Sequence, residues 1–269
     1  MKLIAQCAAL MLSVCLPFSA QAHRSWLLPS GTVFSGADMS VVVDAAVSTQ
    51  LFDFDHFPLR LDGLTVQGPD GTAIQPDNRS SSKYRNSFDV RLAQPGTYKI
   101  AVASNDLRAR YQLNGQPKNW RGNAATFAKE IPANAEGLVV TELQGRVETF
   151  VTAGKPSRQV LATTGAGLEM AAITHPDDLM AGDKASFRLL LDGKPAAGVP
   201  VTATLGGERY RDKTISVSAV TGQDGVFSLL WPQAGMYALE AAVKDEKTSF
   251  KPASERRASY TVTLEVLPQ

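Results

Sequence analysis

The sequence predicts an all-β fold, and three observations support that prediction. Apolar residues alternate with polar ones along several short segments, which is the two-residue period of a half-buried strand. Turn residues separate these segments, as at Pro95-Gly96 and Asp192-Gly193. The 3.6-residue period of an amphipathic helix is almost absent. Short strands with frequent turn signals are typical of β-sandwiches, so we predict two immunoglobulin-like sandwich domains in tandem.

The first predicted domain covers residues 23–163. Residues 39–47 (MSVVVDAAV) form a nearly continuous apolar strand. Residues 87–104 alternate on both sides of a Pro-Gly turn and predict a β-hairpin. Residues 137–154 have a similar pattern, and we expect a second hairpin there with its turn at Gly145.

The stretch 105–135 is less regular and predicts an insert in the first domain, with one short helix near 124–129. The second predicted domain covers residues 168–269, after a divide around Thr163 to Leu168. Its strands are expected in 184–205, 224–243 and 258–268.

The two halves share a weak internal repeat, in which a strand is followed by Gly-x-Tyr and then by a second strand. It occurs at Gly96-Thr97-Tyr98 and again at Gly235-Met236-Tyr237. A tyrosine just after a glycine turn suits the corner of an immunoglobulin-like sandwich, where its hydroxyl returns to the backbone. This repeat therefore favours two related sandwich domains, and a single elongated β domain is the alternative.

Residues 1–22 have the three parts of a secretory signal peptide. Lys2 supplies the positive start, residues 3–18 are mostly apolar, and Ala20-Gln21-Ala22 is a small-x-small cleavage site. The apolar run is too short for a stable transmembrane helix. We therefore expect cleavage after Ala22 and a periplasmic protein that is not embedded in the membrane.

The composition of the remaining chain limits which classes of partner it can bind and which interactions can stabilise its fold. Cys7 and Cys15 are the two cysteines and both lie within residues 1–22, so a disulfide-free core must stabilise the rest. Lys2 is the one charged residue of that segment, which leaves 26 basic and 26 acidic residues. A balanced chain without basic runs is a poor candidate for binding nucleic acid or anionic membranes.

Four stretches carry a resemblance to a known family and together span most of the chain. They are AHRSWLLP at 22–29, LDGLTVQGPDGT at 61–72 with the QPGTYKI segment, ETFVTAGKPS at 148–157, and LLLDGKPAAGVPVTATLGG with TGQDGVFSLLWPQAGMYALEA. The chain resembles domain-of-unknown-function family 4198, formerly labelled a nickel uptake substrate-specific component. The resemblance implies an exported accessory protein linked to transition-metal uptake, with no established catalytic residues. The carboxy-terminal part also resembles transthyretin-like and carboxypeptidase-regulatory-like sandwiches, which indicates fold rather than function.

The chain has three histidines, and His23 would be its first residue after cleavage at Ala22. Its α-amino group and its imidazole are both readily deprotonated for a metal near neutral pH. Such nitrogen ligands suit Cu(II) or Ni(II). The arrangement resembles the histidine brace of exported copper proteins.

A second histidine would complete the site. His56 lies in a predicted loop beside Asp53 and Asp55, in the same predicted domain as His23. His175 lies in the other predicted domain, before a proline. We therefore predict a site for one copper or nickel ion at His23 and His56, with His175 as the alternative second ligand.

Two further groups have alternative interpretations. Trp26 either packs beside the metal site or is the first core residue of a strand, and its apolar neighbours favour the core. A second group either binds a carboxylate-rich ligand or forms a solvated strand face, which is the favoured interpretation. Its members are Arg108, Arg110, Tyr111, Trp120 and Arg121.

The usual enzyme signatures are missing from the sequence, including Gly-x-Ser-x-Gly, His-Glu-x-x-His and a phosphate loop. We therefore predict a non-enzymatic periplasmic accessory for copper or nickel, whose partner is an envelope transporter or receptor. One alternative is a metal-free structural or docking module for such a partner. Another is an oxidative copper enzyme that uses the same histidine brace.

Overall fold

The computed structural model describes residues 23–36 and 38–269, so the predicted signal peptide lies outside the described residues. Within these ranges the chain forms eighteen β-strands, one α-helix and two short 3-10 helices. The strands are β1 (Arg24–Pro29), β2 (Val33–Phe34), β3 (Met39–Ser48), β4 (Phe57–Pro58), β5 (Leu64–Gln67), β6 (Asp77–Ser81), β7 (Asn86–Leu92), β8 (Gly96–Leu113), β9 (Gln116–Gly122), β10 (Glu136–Ala153), β11 (Leu168–Ala172), β12 (Lys184–Leu191), β13 (Lys194–Pro195), β14 (Pro200–Leu205), β15 (Ser216–Val220), β16 (Val226–Leu230), β17 (Gly235–Asp245) and β18 (Ala253–Val266). The all-β prediction is confirmed, and helix α1 (Ala124–Glu130) occupies the predicted position.

The strands form three sheets. A five-stranded sheet has the order β1-β3-β7-β6, with β4 beside β3. A nine-stranded sheet has the order β15-β14-β17-β18-β10-β8-β5, with β2 beside β10 and β9 beside β8. A four-stranded sheet has the order β11-β12-β13, with β16 beside β12. Among the residues described, no helix has the length and apolar character needed to cross a membrane.

Strand β10 replaces the hairpin predicted for residues 137–154, so that prediction is wrong. Its eighteen residues run without a turn through Gly145, which lies opposite Ser104 on β8 and Ser259 on β18. A Cβ atom added at Gly145 would come within 2.8 Å of the Ser104 hydroxyl. The glycine therefore allows close packing between neighbouring strands instead of a turn.

Strand β10 also joins the two halves of the chain. It pairs antiparallel with β8 and parallel with β18, so the nine-stranded sheet is continuous across both predicted domains. One hydrophobic core nevertheless gathers around Phe88 and Tyr98, and another around Phe187 and Trp231. The two-domain division stays a prediction, because the two largest cores are separate, but one sheet connects them and a smaller cluster packs Trp26 and Leu51 with Ala238.

The predicted hairpin at 87–104 contains the expected strands but not the expected pairing. Strand β7 pairs with β3 in the five-stranded sheet, whereas β8 pairs with β10 in the nine-stranded sheet. Strands β16 and β17 likewise belong to different sheets. In both places the turn carries the chain from one layer of a sandwich to the other.

Each crossing is closed by a buried tyrosine. Tyr98 donates its hydroxyl to the carbonyl of Gln94 at 2.8 Å and accepts the Gln94 amide at 2.8 Å. Tyr237 donates to the carbonyl of Gln233 at 2.9 Å. The predicted return of both tyrosine hydroxyls to the backbone is confirmed.

We expect Tyr98→Phe to lower the free energy of unfolding by about 1–2 kcal/mol, because it leaves backbone polar groups of Gln94 without their buried partner. Equilibrium urea unfolding measures the change. Tyr210→Phe is the matched control, since Tyr210 is 83% exposed and should leave the unfolding midpoint unchanged. Equal midpoints for Tyr98→Phe and the parent chain would contradict a stabilising corner.

A buried ionic cluster lies where the two halves meet. Its members are Lys99, Arg146, Glu148, Glu169 and Tyr260. Glu148 is 1% exposed and accepts hydrogen bonds from the Tyr260 hydroxyl at 2.8 Å and from Arg146 at 3.2 Å. The Lys99 ammonium lies 3.4 Å from the same carboxylate. Burial, with Glu148 alongside, raises the pKa of Tyr260 well above its usual value, so the phenol stays neutral and donates.

Candidate metal site

The structure brings His23 and His56 together. His23 directly precedes β1, and His56 directly precedes β4. Strands β1 and β4 pair with opposite edges of β3, since both lie opposite its residues Ala46 and Val47. The two imidazole rings meet across the end of β3 and stack, with centroids 3.7 Å apart and planes 14° apart.

An aromatic side chain lines one side of this pair. The Phe57 ring centroid lies 4.4 Å from that of His56 and 6.3 Å from that of His23. Phe57 is 43% exposed, and His23 is exposed as well. The pair therefore lies at the surface, where an ion or a partner protein can reach it.

Contacts within the loop before His56 fix its course. Asp55 accepts a hydrogen bond from the Thr49 amide at 2.9 Å, which closes the loop onto the end of β3. Leu51 is 1% exposed, and Phe52 packs edge-on against Trp26 at 5.4 Å. These buried anchors hold the segment that carries His56.

Trp26 belongs to the core, as the favoured interpretation had it. It is fully buried, and its indole nitrogen donates to the Ser48 hydroxyl at 2.8 Å. The wall of the histidine pair is formed by Phe57, a residue that the sequence did not single out.

Arg24 anchors the start of β1 onto the second half of the chain. Its guanidinium donates to Glu240 at 3.0 and 2.5 Å and lies 3.5 Å from Glu208. Glu208 also accepts the Leu51 amide at 3.1 Å. One acidic residue of the second half therefore contacts both segments that carry the histidines, and no sequence pattern indicated this role.

The structure places His175 apart, as a buried structural residue. It is 7% exposed, and its Nδ1 accepts the Asp177 amide at 3.1 Å. The Nε2–H group then donates to the Ser157 carbonyl at 3.0 Å and lies 3.1 Å from the Thr97 hydroxyl. Burial lowers the pKa of His175, so the ring is neutral. Both nitrogens are engaged, which leaves neither for a metal.

A metal site at His23 and His56 would still need a third ligand. Within residues 23–36 and 38–269, no three His, Cys, Asp or Glu side chains are grouped to hold a metal. A site with three protein nitrogens would therefore need the α-amino group of His23. That group exists only if the chain is cut after Ala22.

The arginine group does not form a common site with Trp120. Arg108 lies opposite Arg121, and Trp120 lies on the other face of the ribbon, where it packs against Phe127 at 5.5 Å. Arg121 and Arg60 both donate to Asp106, at 2.8 Å and at 2.7–2.8 Å. Burial raises the pKa of Asp106, but these two guanidinium groups outweigh it and lower the value. The solvated-face interpretation fits this arrangement.

A family model described as a domain of unknown function, DUF4198, matches residues 20–245. The chain belongs to the DUF4198 family. The match covers most of the chain and includes both histidines of the candidate site. No curated protein matches the sequence significantly.

A comparison with solved structures also finds distant similarities to this DUF4198 protein. The D0-D1 domain of intimin is 12% identical, with 90% of this chain and 97% of that chain covered, at a TM-score of 0.24. A DUF3823 family protein from Bacteroides uniformis is 13% identical, with 91% and 100% covered, at 0.24. A DUF4785 family protein from Legionella pneumophila is 6% identical, with 80% and 50% covered, also at 0.24. Likenesses this distant carry no information about function.

Proposed function

We propose that this DUF4198 protein binds one copper or nickel ion through His23 and His56 and serves as an exported accessory for metal handling rather than as an enzyme. The supporting observation is the 3.7 Å stack of the two imidazole rings. Two of the three histidines of the chain, from separate segments, share one surface position. In this proposal the recipient of the ion is an envelope transporter or receptor.

The two rings lie close together, but the 3.7 Å joins ring centroids and not nitrogens, so the stack must rearrange to share an ion. Two nitrogens that bind one ion at about 2.0–2.1 Å each are at most about 4 Å apart. Imidazole lone pairs lie in the ring planes, so one ring must turn for both to face the same ion. His23 is exposed and its side chain has room to turn. The α-amino group of His23 would supply a third nitrogen, and nitrogen sets of this kind favour Cu(II) or Ni(II).

The surrounding residues would hold the ligands in place. The hydrogen bonds from Arg24 to Glu240 fix the start of β1, and the bond from Thr49 to Asp55 fixes the loop before His56. The Phe57 ring lies against one side of the pair. A bound ion would be cargo at an accessible surface site, and the protein would bind and release it.

We expect His23→Gln and His56→Gln each to weaken Cu(II) binding by roughly a hundredfold to ten-thousandfold, the gain that linked ligands provide through effective concentration. Isothermal titration calorimetry with Cu(II) and with Ni(II) measures the affinity. The mass of the purified protein under denaturing conditions is measured first and should correspond to a chain that begins at His23.

Two controls make the result specific. Asp55→Asn keeps the hydrogen-bond acceptor beside His56 and should bind the ion as the parent does. Circular dichroism checks that each variant is folded. A chain cut elsewhere would remove the amino ligand and overturn the proposal. A chain cut at His23 that binds neither ion would favour the metal-free docking module instead.

A further inference from the structure

A cavity of about 500 Å³ lies between the two halves of the chain. Arg24 and the residues after β3 line it from the first half, and Glu240 and the segment 208–214 line it from the second. Every side chain that lines it is charged or polar. A volume of this size, at the junction of two parts of a fold, is typical of a small-molecule site. The lining restricts such a ligand to a polar molecule.

Arg211 lines this cavity with hydrogen-bond donors that the protein does not use. Its Nη2 group donates to the carbonyls of Leu205 and Gly206 at 3.0 and 2.7 Å, which holds the side chain in place. Its Nε–H group is sheltered from solvent and has no hydrogen-bond partner within residues 23–36 and 38–269. The acids of these ranges form no ion pair with it. Buried donors are normally paired, and guanidinium groups bind carboxylates strongly, so Arg211 is suited to a ligand carboxylate.

The acidic residues of the cavity outnumber its basic ones. Arg24 is committed to its neighbours, since it donates twice to Oε2 of Glu240 and lies 3.5 Å from Glu208. The other oxygen of Glu240, Oε1, takes no part in these bonds. Asp212 is exposed and forms no ion pair in the part of the chain that the structure describes. Three carboxylates therefore share the cavity with two guanidinium groups, which leaves an excess of negative charge.

We infer that this cavity binds a small basic amino acid, of which L-lysine is the representative. The α-carboxylate of the ligand pairs with Arg211, and its two ammonium groups pair with Asp212 and with Oε1 of Glu240. The single net positive charge of the ligand balances the excess negative charge of the cavity. A simple anion would leave the acids unpaired, and a diamine would leave Arg211 unpaired. The inference does not depend on metal binding by the histidines.

Isothermal titration calorimetry with L-lysine and two analogues tests the inference. The purified full-length protein is first freed of metal by dialysis against a chelator. L-Norleucine lacks the terminal ammonium group of lysine, and cadaverine lacks the carboxylate. We expect L-lysine to bind, and we expect each analogue to bind more weakly by about tenfold or more, because each leaves a charged group of the cavity unpaired.

Two variants assign the charged groups of the ligand to the residues of the cavity. Arg211→Gln should weaken L-lysine by about tenfold or more and leave the affinity for cadaverine unchanged, since cadaverine has no carboxylate to lose. Asp212→Asn should weaken L-lysine by a similar factor, and because Asp212 is exposed the variant should unfold at the same urea concentration as the parent. Arg209→Gln is the matched control, since Arg209 is a neighbouring arginine that does not line the cavity.

Tighter binding of L-lysine than of either analogue, weakened in Arg211→Gln and Asp212→Asn but not in Arg209→Gln, would support the inference. No binding of L-lysine at concentrations up to about 10 mM would overturn it. Equal affinities for L-lysine and cadaverine would overturn it as well, since Arg211 would then bind no carboxylate. Equal affinities for L-lysine and L-norleucine would reject the charge balance on which the choice of ligand rests. These titrations contain no metal ion, so their outcome is separate from that of the copper and nickel titrations.

Discussion

Replacing Glu148 with alanine is expected to lower the free energy of unfolding by about 3–5 kcal/mol, the usual effect of breaking a buried ion pair from one side. Lys99 is 6% exposed, and in the parent its charge is balanced by Glu148. Without that carboxylate, the buried Lys99 ammonium loses its ion-pair partner, and Arg146 keeps only Glu169, at 3.7 Å, among its described acidic partners. The Tyr260 hydroxyl loses its acceptor at the same time. Glu148 lies on β10, the strand that pairs with β8 of the first half and β18 of the second, so its loss acts where the two halves join.

Two variants separate charge from packing at this position. Glu148→Gln keeps the size of the side chain and an acceptor for Tyr260, so it should destabilise less than alanine does. Glu255→Ala removes an acid from surface pairs with Lys244 and Arg257, whose side chains are 63% and 57% exposed, and should leave the unfolding midpoint nearly unchanged. Guanidinium unfolding measures all three. A midpoint for Glu148→Ala close to that of Glu255→Ala would mean that the cluster does not hold the two halves together.

The strands were predictable from the sequence, but their partners were not. The alternation of apolar and polar residues in β7 and β8 indicates which side chains are buried. The same alternation occurs whether the two strands pair in a hairpin or lie in opposite sheets of a sandwich, so it does not identify their partners. Proline and glycine at the turn are likewise compatible with both. Tyr98 was the better signal, because a hydroxyl that returns to its own turn is a property of the corner. The turn predicted at Gly145 was wrong for a related reason, because glycine is favoured both in turns and where two strands pack closely.

The candidate site was predictable only in part. His23 stood out because of its position after a cleavage site, and His56 because it lay in a polar loop of the same half. The prediction brought together two residues that the structure also brings together, while their role as ligands remains a prediction. Arg24 could not be assigned, because its partner Glu240 is 216 positions away. The buried role of Glu148 could not be predicted either, because a single charged residue in a strand usually faces solvent.

The second large effect concerns Asp177, whose pKa is raised to about 7. Burial is the main cause, and nearby Glu265 adds to it, while a hydrogen bond from Thr152 acts in the opposite direction. In the unfolded chain this carboxyl titrates near 3.8. Between these two values the folded state holds a proton that the unfolded state has lost. Stability from Asp177 is therefore complete below pH 3.8 and falls by about 4 kcal/mol as the pH rises to about 7.

The stability of the parent chain alone does not isolate this fall, because His175 acts in the opposite direction. Burial lowers the pKa of His175, so the unfolded state takes up a proton below about pH 6.5 that the folded state does not. Below about pH 6.5 the two contributions therefore have opposite signs. Asp177→Asn retains an acceptor for Thr152 and leaves His175 in place, so the difference between parent and variant isolates the carboxyl. We expect the parent to lose about 4 kcal/mol relative to the variant between pH 4 and pH 8, measured by urea unfolding. A difference that stays constant over that range would mean that Asp177 titrates normally and that water reaches the junction of the two halves.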